Sequence, residues 1–370
     1  MRNALTRGQL EDWIAKGLAN IEGLPDRNEP ILIYGCGVLG RDLYQILSAR
    51  GIRVRGFVDK MRAGEISADS GTAILAPEAI TDGQWLVQSI NNPQFPLREI
   101  NRDLAQRGAR LLNPLQAMWW CGGRLLWMDR PDIYVNDLDR IVRIGQRLER
   151  DDRARYAGVW RDRLTGEFET LYDTAPSPYF PPDLPAIPSE LNLVDCGAFD
   201  GDVARQAVAA GRRVRWLAAF EPDPENFDKL KAWLAHGPDG MKAIAFPAAV
   251  GNENRILSFA GGHASSSRLD PNGRSQVPCV RLDDVLFRFP INYLKLDVEG
   301  AEADALRGAA NIIRRRRPHL AVSIYHRPRD LFELPQLIDE LSPGYRYHLR
   351  LHATAGIDSV LYAIPLPHGH

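Results

Sequence analysis

A glycine turn in the second half of the chain carries the clearest chemical signal in the sequence. In the run Asp195-Cys-Gly-Ala-Phe-Asp-Gly201, an acid precedes the first glycine and three residues separate the two glycines. A pyrophosphate favours the narrower Gly-x-Gly spacing, since the backbone must approach it closely. The wider turn with its leading acid favours S-adenosylmethionine (SAM), whose amino-acid end carries an ammonium group instead of phosphates. Glu221 ends the next predicted strand, where a carboxylate can accept hydrogen bonds from both ribose hydroxyls. The alternative is a degenerate turn that binds nothing.

A second group of polar residues follows further along the chain. Lys295, Asp297 and Glu299 alternate, so they share one face of a predicted strand. Charges on a buried strand must be paired, which predicts an ion-pair network. A compatible alternative places Asp297 or Glu299 in the ligand pocket, and we assign Asp297 to the catalytic group.

His326, after the predicted strand 318–324, is the first candidate for a general base. A neutral imidazole near pH 7 can take the proton of an attacking hydroxyl. The alternative is a histidine that only supports other site residues. His263, in the small polar segment 259–267, is a second candidate base. The predicted acceptor-binding residues are Lys295, Glu299, His263 and Arg327. Asp297, Glu299 and His326 could also hold a divalent ion, but their spacing does not single this out, so no metal site is predicted.

The first half of the chain offers a different glycine turn. Gly35, Gly37 and Gly40 form Gly-x-Gly-x-x-Gly between an apolar run at 30–34 and a helical pattern at 38–50, and Asp59 lies about 20 residues on. This spacing is typical of a dinucleotide site, with NAD as the ligand. The alternative is a domain that keeps the turn without binding a nucleotide. No Tyr-x-x-x-Lys or His-Asp pair for hydride transfer follows before Arg130.

These turns belong to two βαβ openings, which predict an α/β protein with two Rossmann-like domains. The first comprises strands at 30–34 and 53–58 around a helix at 38–50, and the second begins at 193–194 and continues to a strand at 216–220. Six prolines between 174 and 189 exclude a helix or central strand there. We therefore predict an N-terminal domain at 1–128, a helical and Pro-rich connector at 129–189, and a C-terminal domain at 190–370.

The C-terminal sheet is predicted to end in an antiparallel hairpin. Strands are expected at 318–324, 345–351 and 359–364, the last two joined only by a loop. Ligands of open α/β sheets bind at the carboxyl ends of the strands. By this rule, we expect one cleft to be lined by Asp195, Glu221, Asp297 and His326.

Several of these segments together resemble the FkbM family of SAM-dependent methyltransferases. They are Asp195 to Gly201, Phe220-Glu-Pro-Asp-Pro224, Ala249-Val-Gly-Asn252, Asn292-Tyr-Leu-Lys-Leu-Asp-Val-Glu-Gly-Ala-Glu302 and Leu306-Arg-Gly-Ala309. The similarity covers roughly 190–364, about half of the chain. It implies O-methylation of a hydroxyl on a sugar, glycan or secondary metabolite. The predicted cofactor-binding residues on these segments are Asp195, Gly197, Ala198, Phe199, Gly201, Glu221, Pro222 and Val250.

Composition limits the remaining classes of function. The 370 residues carry a net charge of -1, which removes the whole-protein electrostatic argument for nucleic acid. No apolar run is long enough to span a bilayer. The four cysteines lie far apart, which favours a cytoplasmic protein without disulfides. Two alternatives to the methyltransferase stay open, an NAD-dependent sugar-modifying oxidoreductase and a non-catalytic ligand-binding scaffold; a homo-oligomer is also open.

Overall fold

The computed structural model describes residues 4–22, 24–90, 97–122, 129–167, 178–184, 187–260, 268–269, 275–352, 356 and 358–367. The chain divides into two units. The N-terminal unit comprises Arg7–Asn136 and Trp160–Phe168, and the C-terminal unit comprises Met1–Thr6, Asp137–Val159 and Glu169–His370. The three-part division at 128 and 189 stays a prediction.

A parallel four-stranded sheet forms the centre of the N-terminal unit, in the order β2-β1-β3-β4. Its elements are α1 (Arg7–Glu22), β1 (Ile31–Tyr34), α2 (Val38–Ala49), β2 (Val54–Val58), a 3-10 helix at Pro77–Ala79, β3 (Trp85–Gln88), α3 (Leu97–Gln106), β4 (Arg110–Leu112), α4 (Pro114–Trp120) and a 3-10 helix at Pro131–Tyr134. Leu32, Tyr34 and Leu86 face α3 and belong to a buried cluster that also includes Leu104 of that helix. The predicted strand, helix and strand of the first βαβ opening are confirmed.

The C-terminal unit is built on a seven-stranded sheet with a smaller sheet beside it. Its elements are α5 (Leu138–Arg147), α6 (Arg150–Thr165, grouped with the N-terminal unit from Trp160 on), β5 (Glu190–Cys196), α7 (Asp202–Ala209), β6 (Arg213–Phe220), α8 (Pro224–Leu234), β7 (Lys242–Phe246), β8 (Ala249–Val250), β9 (Arg255–Ala260), β10 (Arg268–Leu269), β11 (Ser275–Val280), α9 (Leu282–Val285), β12 (Tyr293–Leu296), α10 (Glu302–Gly308), α11 (Ala310–Arg316), β13 (His319–Ser323), α12 (Asp330–Leu341), β14 (Tyr345–Leu351) and β15 (Ser359–Pro365).

The strand order of the large sheet is β14-β15-β13-β12-β5-β6-β7. Its central strands pair in parallel, whereas β15 pairs antiparallel with both β13 and β14. The α/β class and the closing hairpin predicted from the sequence are confirmed. The chain leaves β5 toward β6 and β7 and returns on the other side as β12. The order therefore reverses between β5 and β12, where open α/β sheets bind their ligands.

The small sheet has the order β10-β9-β11-β8, and β9 pairs antiparallel with β10 and β11. It lies in the chain between β7 and β12, where the sequence analysis expected only a small polar segment. Residues 261–267 of that segment, including His263, lie outside the described residues.

Buried charges on α6 are paired with residues of β14. The carboxylate of Asp152 accepts a hydrogen bond from Arg350 Nη1 at 2.7 Å and lies 3.1 Å from His348 Nδ1. Asp152 is 2% exposed, so these partners offset the cost of its burial. Within the described part of the chain, no helix combines the length and apolar character needed to cross a bilayer.

Candidate functional site

The glycine turn after β5 lies against the end of β12. Gly197 has φ +77°, and a Cβ atom built there would lie 1.9 Å from the carbonyl oxygen of Asp297. The backbone N–H groups of Gly197 and Ala198 both donate to the carbonyl of Phe220, at 2.9 and 3.0 Å. The turn is thus held between β6 and β12, and only glycine fits at its first position.

Glu221 fixes the same turn from the end of β6. Its Oε2 accepts from the backbone N–H of Phe199 and its Oε1 from that of Asp223, both at 2.8 Å. Burial raises the pKa of Glu221 to about 7. Each carboxylate oxygen has a second lone pair, so these bonds leave acceptor capacity for a ligand.

Lys295 and Asp195 form an ion pair at the strand reversal. They are register partners on β12 and β5, and Lys295 Nζ lies 3.2 Å from Asp195 Oδ1. Nζ also donates to the carbonyls of Gly197 at 2.6 Å and Cys196 at 3.2 Å. Burial alone would lower the pKa of Lys295, but the nearby carboxylates, Asp195 above all, raise it above its usual value. The predicted ion-pair network is therefore present, and it ties the glycine turn to β12.

A histidine and three carboxylates meet beyond the end of β12. His326 Nε2 lies 3.5 Å from Asp297 Oδ1 and 3.7 Å from Glu299 Oε2. The strand ends at Leu296 and Glu299 has φ +53°, so the predicted alternation along one strand face is wrong beyond Lys295. The backbone instead turns, and this turn brings both carboxylates to the imidazole.

Glu302 completes this cluster and was missed in the sequence analysis. It is the first residue of α10, it is 1% exposed, and its Oε1 lies 2.8 Å from His326 Nδ1. The same oxygen accepts from the backbone N–H of Val298 at 2.9 Å. Its position at the end of the acidic run that starts at Asp297 is the signal that could have revealed it.

The carboxylates change the charge state of His326. Burial would lower the pKa of its imidazole, but the hydrogen bond to Glu302 and the charges of Glu302, Asp297 and Glu299 raise it to about 9. The imidazole is then protonated at pH 7, which differs from the neutral base expected from the sequence. Burial would also raise the pKa of Asp297, yet Lys295 and His326 hold it below its usual value.

The C-terminal unit is similar in sequence to known proteins. Residues 195–348 match a family model described as the methyltransferase FkbM domain. The C-terminal unit carries an FkbM methyltransferase domain. A stretch of 155 residues is 27% identical to "Methyltransferase 1" of Beauveria bassiana (strain ARSEF 2860) and covers 34% of this chain and 61% of that protein.

A solved structure resembles the fold over almost the whole chain. It is the crystal structure of Methyltransferase FkbM from Methylobacillus flagellatus KT, with a TM-score of 0.81 and 22% identity, and it covers 97% of this chain and 100% of that one. The shared fold therefore extends well beyond the residues matched by the FkbM family model.

Other predicted residues of the FkbM domain lie on several different elements. Pro222 sits between Glu221 and Asp223, whose side chain caps α8. Val250 is buried in β8, paired with Val280 of β11. Arg327 follows His326, and its backbone N–H donates to Asp330 at 2.7 Å. Lys295 is 1% exposed and its ammonium group is bonded within the protein, so its contact with an acceptor stays a prediction.

The N-terminal glycine turn lies outside the FkbM domain and resembles the glycine turn after β5. A Cβ atom at Gly40 would lie 2.1 Å from the carbonyl of Gly35, whereas nothing lies within 4 Å of one at Gly37. Asp59 Oδ2 accepts from the backbone N–H of Cys36 at 2.9 Å, as Glu221 does in the second turn. The third glycine thus permits close helix–strand packing, and the acid holds the turn. Binding of a nucleotide there stays a prediction.

Replacement of Lys295 by methionine is expected to destabilise the FkbM domain. The substitution leaves the carboxylate of Asp195 buried without its partner, which costs about 3–5 kcal/mol of unfolding free energy. Urea unfolding of Lys295→Met against the wild type measures the loss. The double variant Lys295→Met/Asp195→Leu should recover part of it, and a loss below about 1 kcal/mol, as for an exposed pair, would contradict the assignment.

Proposed function

We propose that the chain is a SAM-dependent O-methyltransferase acting on a hydroxyl of a sugar, glycan or secondary-metabolite acceptor. The observation that carries this proposal is the position of Glu221. Its buried carboxylate is hydrogen-bonded to the glycine turn of an FkbM domain, beside the point where the strand order reverses. That is where an acid can bind the ribose hydroxyls of an adenosyl ligand.

The remaining turn residues contact or support different parts of SAM. The backbone from Gly197 through Phe199 to Gly201 receives the amino-acid end, with Ala198 buried beneath it. Asp195 is 1% exposed, so it acts through Lys295 by fixing the shape of the turn. Pro222 and Val250 supply apolar surface for the adenosine.

In methyl transfer itself, the main task of the protein is to align the acceptor hydroxyl with the methyl group of SAM. The methyl carbon of a sulfonium is already electrophilic, and the acceptor oxygen attacks it in line with the departing sulfur. The C–S bond breaks as the O–C bond forms, leaving S-adenosylhomocysteine (SAH) and the ether. The acceptor hydroxyl must also lose its proton. We place this hydroxyl at the cluster of Asp297, Glu299 and His326, which lies after β12 next to the glycine turn. Arg327 favours an acceptor that carries negative charge.

We also propose a cellular compartment and a class of partner for the protein. None of the four cysteines, all within the described residues, forms a disulfide, which fits a reducing cytoplasm. The acceptor is a small molecule or glycan, and the near-zero net charge favours no nucleic-acid partner.

Calorimetric titration separates this function from the NAD-dependent alternative, which the comparisons with known proteins do not support. The purified protein is titrated with SAH and, separately, with NAD. We expect one SAH site of micromolar affinity, whether or not NAD gives heat at the N-terminal turn. Binding of NAD without SAH would move the chemistry to the N-terminal unit and reject the proposal.

A further inference from the structure

Three potential ligand atoms face one another at the cluster beyond β12. His326 Nε2 lies 3.5 Å from Asp297 Oδ1 and 3.7 Å from Glu299 Oε2. Ligands that lie about 2.1 Å from an octahedral cation are roughly 3 Å apart from one another. A contraction of less than about 1 Å would bring each of the two carboxylate oxygens to this distance from His326 Nε2.

The other polar atoms of these side chains are already held in place. Asp297 Oδ2 accepts from the Tyr179 hydroxyl at 2.7 Å, and His326 Nδ1 lies 2.8 Å from Glu302 Oε1. A histidine that binds a metal through one ring nitrogen usually donates from the other to a carboxylate. Glu302 is itself fixed by the backbone N–H of Val298. Glu302 thus orients the imidazole so that Nε2 points to Asp297 and Glu299.

Two of the facing atoms, His326 Nε2 and Asp297 Oδ1, lack among the described residues the hydrogen-bond partners that buried polar atoms normally have. Within the part of the chain that the structure describes, His326 Nε2 and Asp297 Oδ1 are buried and have no hydrogen-bond partner. The side chain of His326 is only 5% exposed. Buried polar atoms are paired in the great majority of cases, so two orphans aimed at each other indicate an absent partner. With three carboxylates around one imidazole, a metal cation that displaces the Nε2 proton would be a suitable partner.

We propose that Asp297, Glu299 and His326 bind a divalent cation of the Mg²⁺ or Mn²⁺ class, with Glu302 as the positioning residue. Two carboxylate oxygens and one imidazole nitrogen suit such hard ions. The site departs from the sequence prediction, which included no metal.

Its role rests on the proposed methyl transfer. The acceptor hydroxyl would take an open position on the cation, which lowers the pKa of a bound oxygen. The hydroxyl proton passes to water, and the resulting alkoxide attacks the methyl carbon of SAM. The cation then provides the activation that the sequence analysis assigned to a neutral His326.

Manganese binding tests the site without any need for the acceptor. The full-length protein is stripped with EDTA, dialysed and titrated with MnCl₂, with free Mn²⁺ followed by electron paramagnetic resonance. We expect one Mn²⁺ per chain, and at least tenfold weaker binding in Asp297→Asn and in Glu299→Gln. Glu302→Gln should lose about 10–100-fold in Mn²⁺ affinity, since it disturbs only the orientation of His326. Asp304→Asn, at a partly exposed acid on the same helix as Glu302, is the matched control and should bind as the wild type does.

The results of the Mn²⁺ and SAH titrations test the cation site and the proposed methyltransferase function separately. SAH titration of each variant shows whether the fold is intact, and Glu299→Gln, at the more exposed position, serves if Asp297→Asn does not fold. Loss of Mn²⁺ binding with retained SAH binding supports the cation site. Wild-type protein that binds no Mn²⁺ at millimolar concentration, or equal Mn²⁺ binding in wild type and both ligand variants, overturns it. Mn²⁺ binding by a protein that binds no SAH would reject the methyltransferase and leave the cation site standing.

Discussion

Glu221→Ala should weaken SAH binding about 100-fold. The variant removes a charged acceptor for two ribose hydroxyls, and a hydrogen bond to a charged group contributes about 1.5–3 kcal/mol. It also removes the bond that holds the Phe199 N–H in the turn. A loss of about 3 kcal/mol corresponds to that factor. Calorimetric titration of the variant with SAH measures it.

Glu225→Ala is the matched control for this experiment. Glu225 lies in the first turn of α8, where its side chain is exposed and paired with Lys229. Its removal should leave the SAH affinity unchanged. A folded Glu221→Ala protein that binds SAH as tightly as the control would contradict the assignment of the ribose site.

The same carboxylate gives SAH binding a pH dependence. The pKa of Glu221 is raised to about 7, so the group is mostly neutral at pH 6 and mostly ionised at pH 8. If only the ionised form binds the ribose well, SAH affinity falls about tenfold from pH 8 to pH 6. Glu221→Gln should bind weakly and show no such slope. An unchanged slope in this variant would assign the titration to another group.

Gly197→Ala is expected to have the largest effect on the FkbM domain. The added methyl group would lie 1.9 Å from the carbonyl oxygen of Asp297, and this oxygen belongs to backbone that cannot rotate away. The ends of β5 and β12 must then separate, which breaks the contacts of Lys295 with the turn. We expect a fall of several kcal/mol in the unfolding free energy, of the size seen for other strained core sites, and no measurable SAH binding.

Gly211→Ala is a control that introduces backbone strain without a steric clash. Gly211 has φ +73°, close to the +77° of Gly197, but nothing lies within 4 Å of a Cβ atom there. The cost at this control should be only about 1–2 kcal/mol, that of a left-handed residue with a side chain. Urea unfolding of both variants gives the comparison. Equal losses would show that the approach of the turn to Asp297 is unimportant.

Local sequence signals predicted the elements that carry the candidate site. Glycine spacing placed both turns, and apolar runs placed β1, β2 and the hairpin of β14 and β15. The acid at the end of the second strand was found in both units because one residue at a fixed distance from the turn defines it. In the structure, Asp59 and Glu221 each accept a backbone N–H from their turn.

The parts that were missed depend on contacts between distant segments. Tyr179 lies in the proline-rich stretch, 118 positions before the carboxylate to which it donates. Glu302 reaches His326 only because the chain turns after β12, where Glu299 and Gly300 both have positive φ. The protonated state of His326 follows from this convergence of three carboxylates, which no single segment shows. The small sheet of β8 to β11 was missed because β8 and β10 have only two residues each and Pro278 interrupts the apolar pattern of β11.

A crystal structure of the full-length protein with SAH would locate the adenosyl site directly. We expect adenosyl density at the carboxyl ends of β5 and β6, with both ribose hydroxyls within hydrogen-bond distance of the Glu221 carboxylate and the amino-acid end over the turn at Gly197. Density for SAH at the turn from Gly35 to Gly40, or a ribose bound away from Glu221, would contradict this expectation.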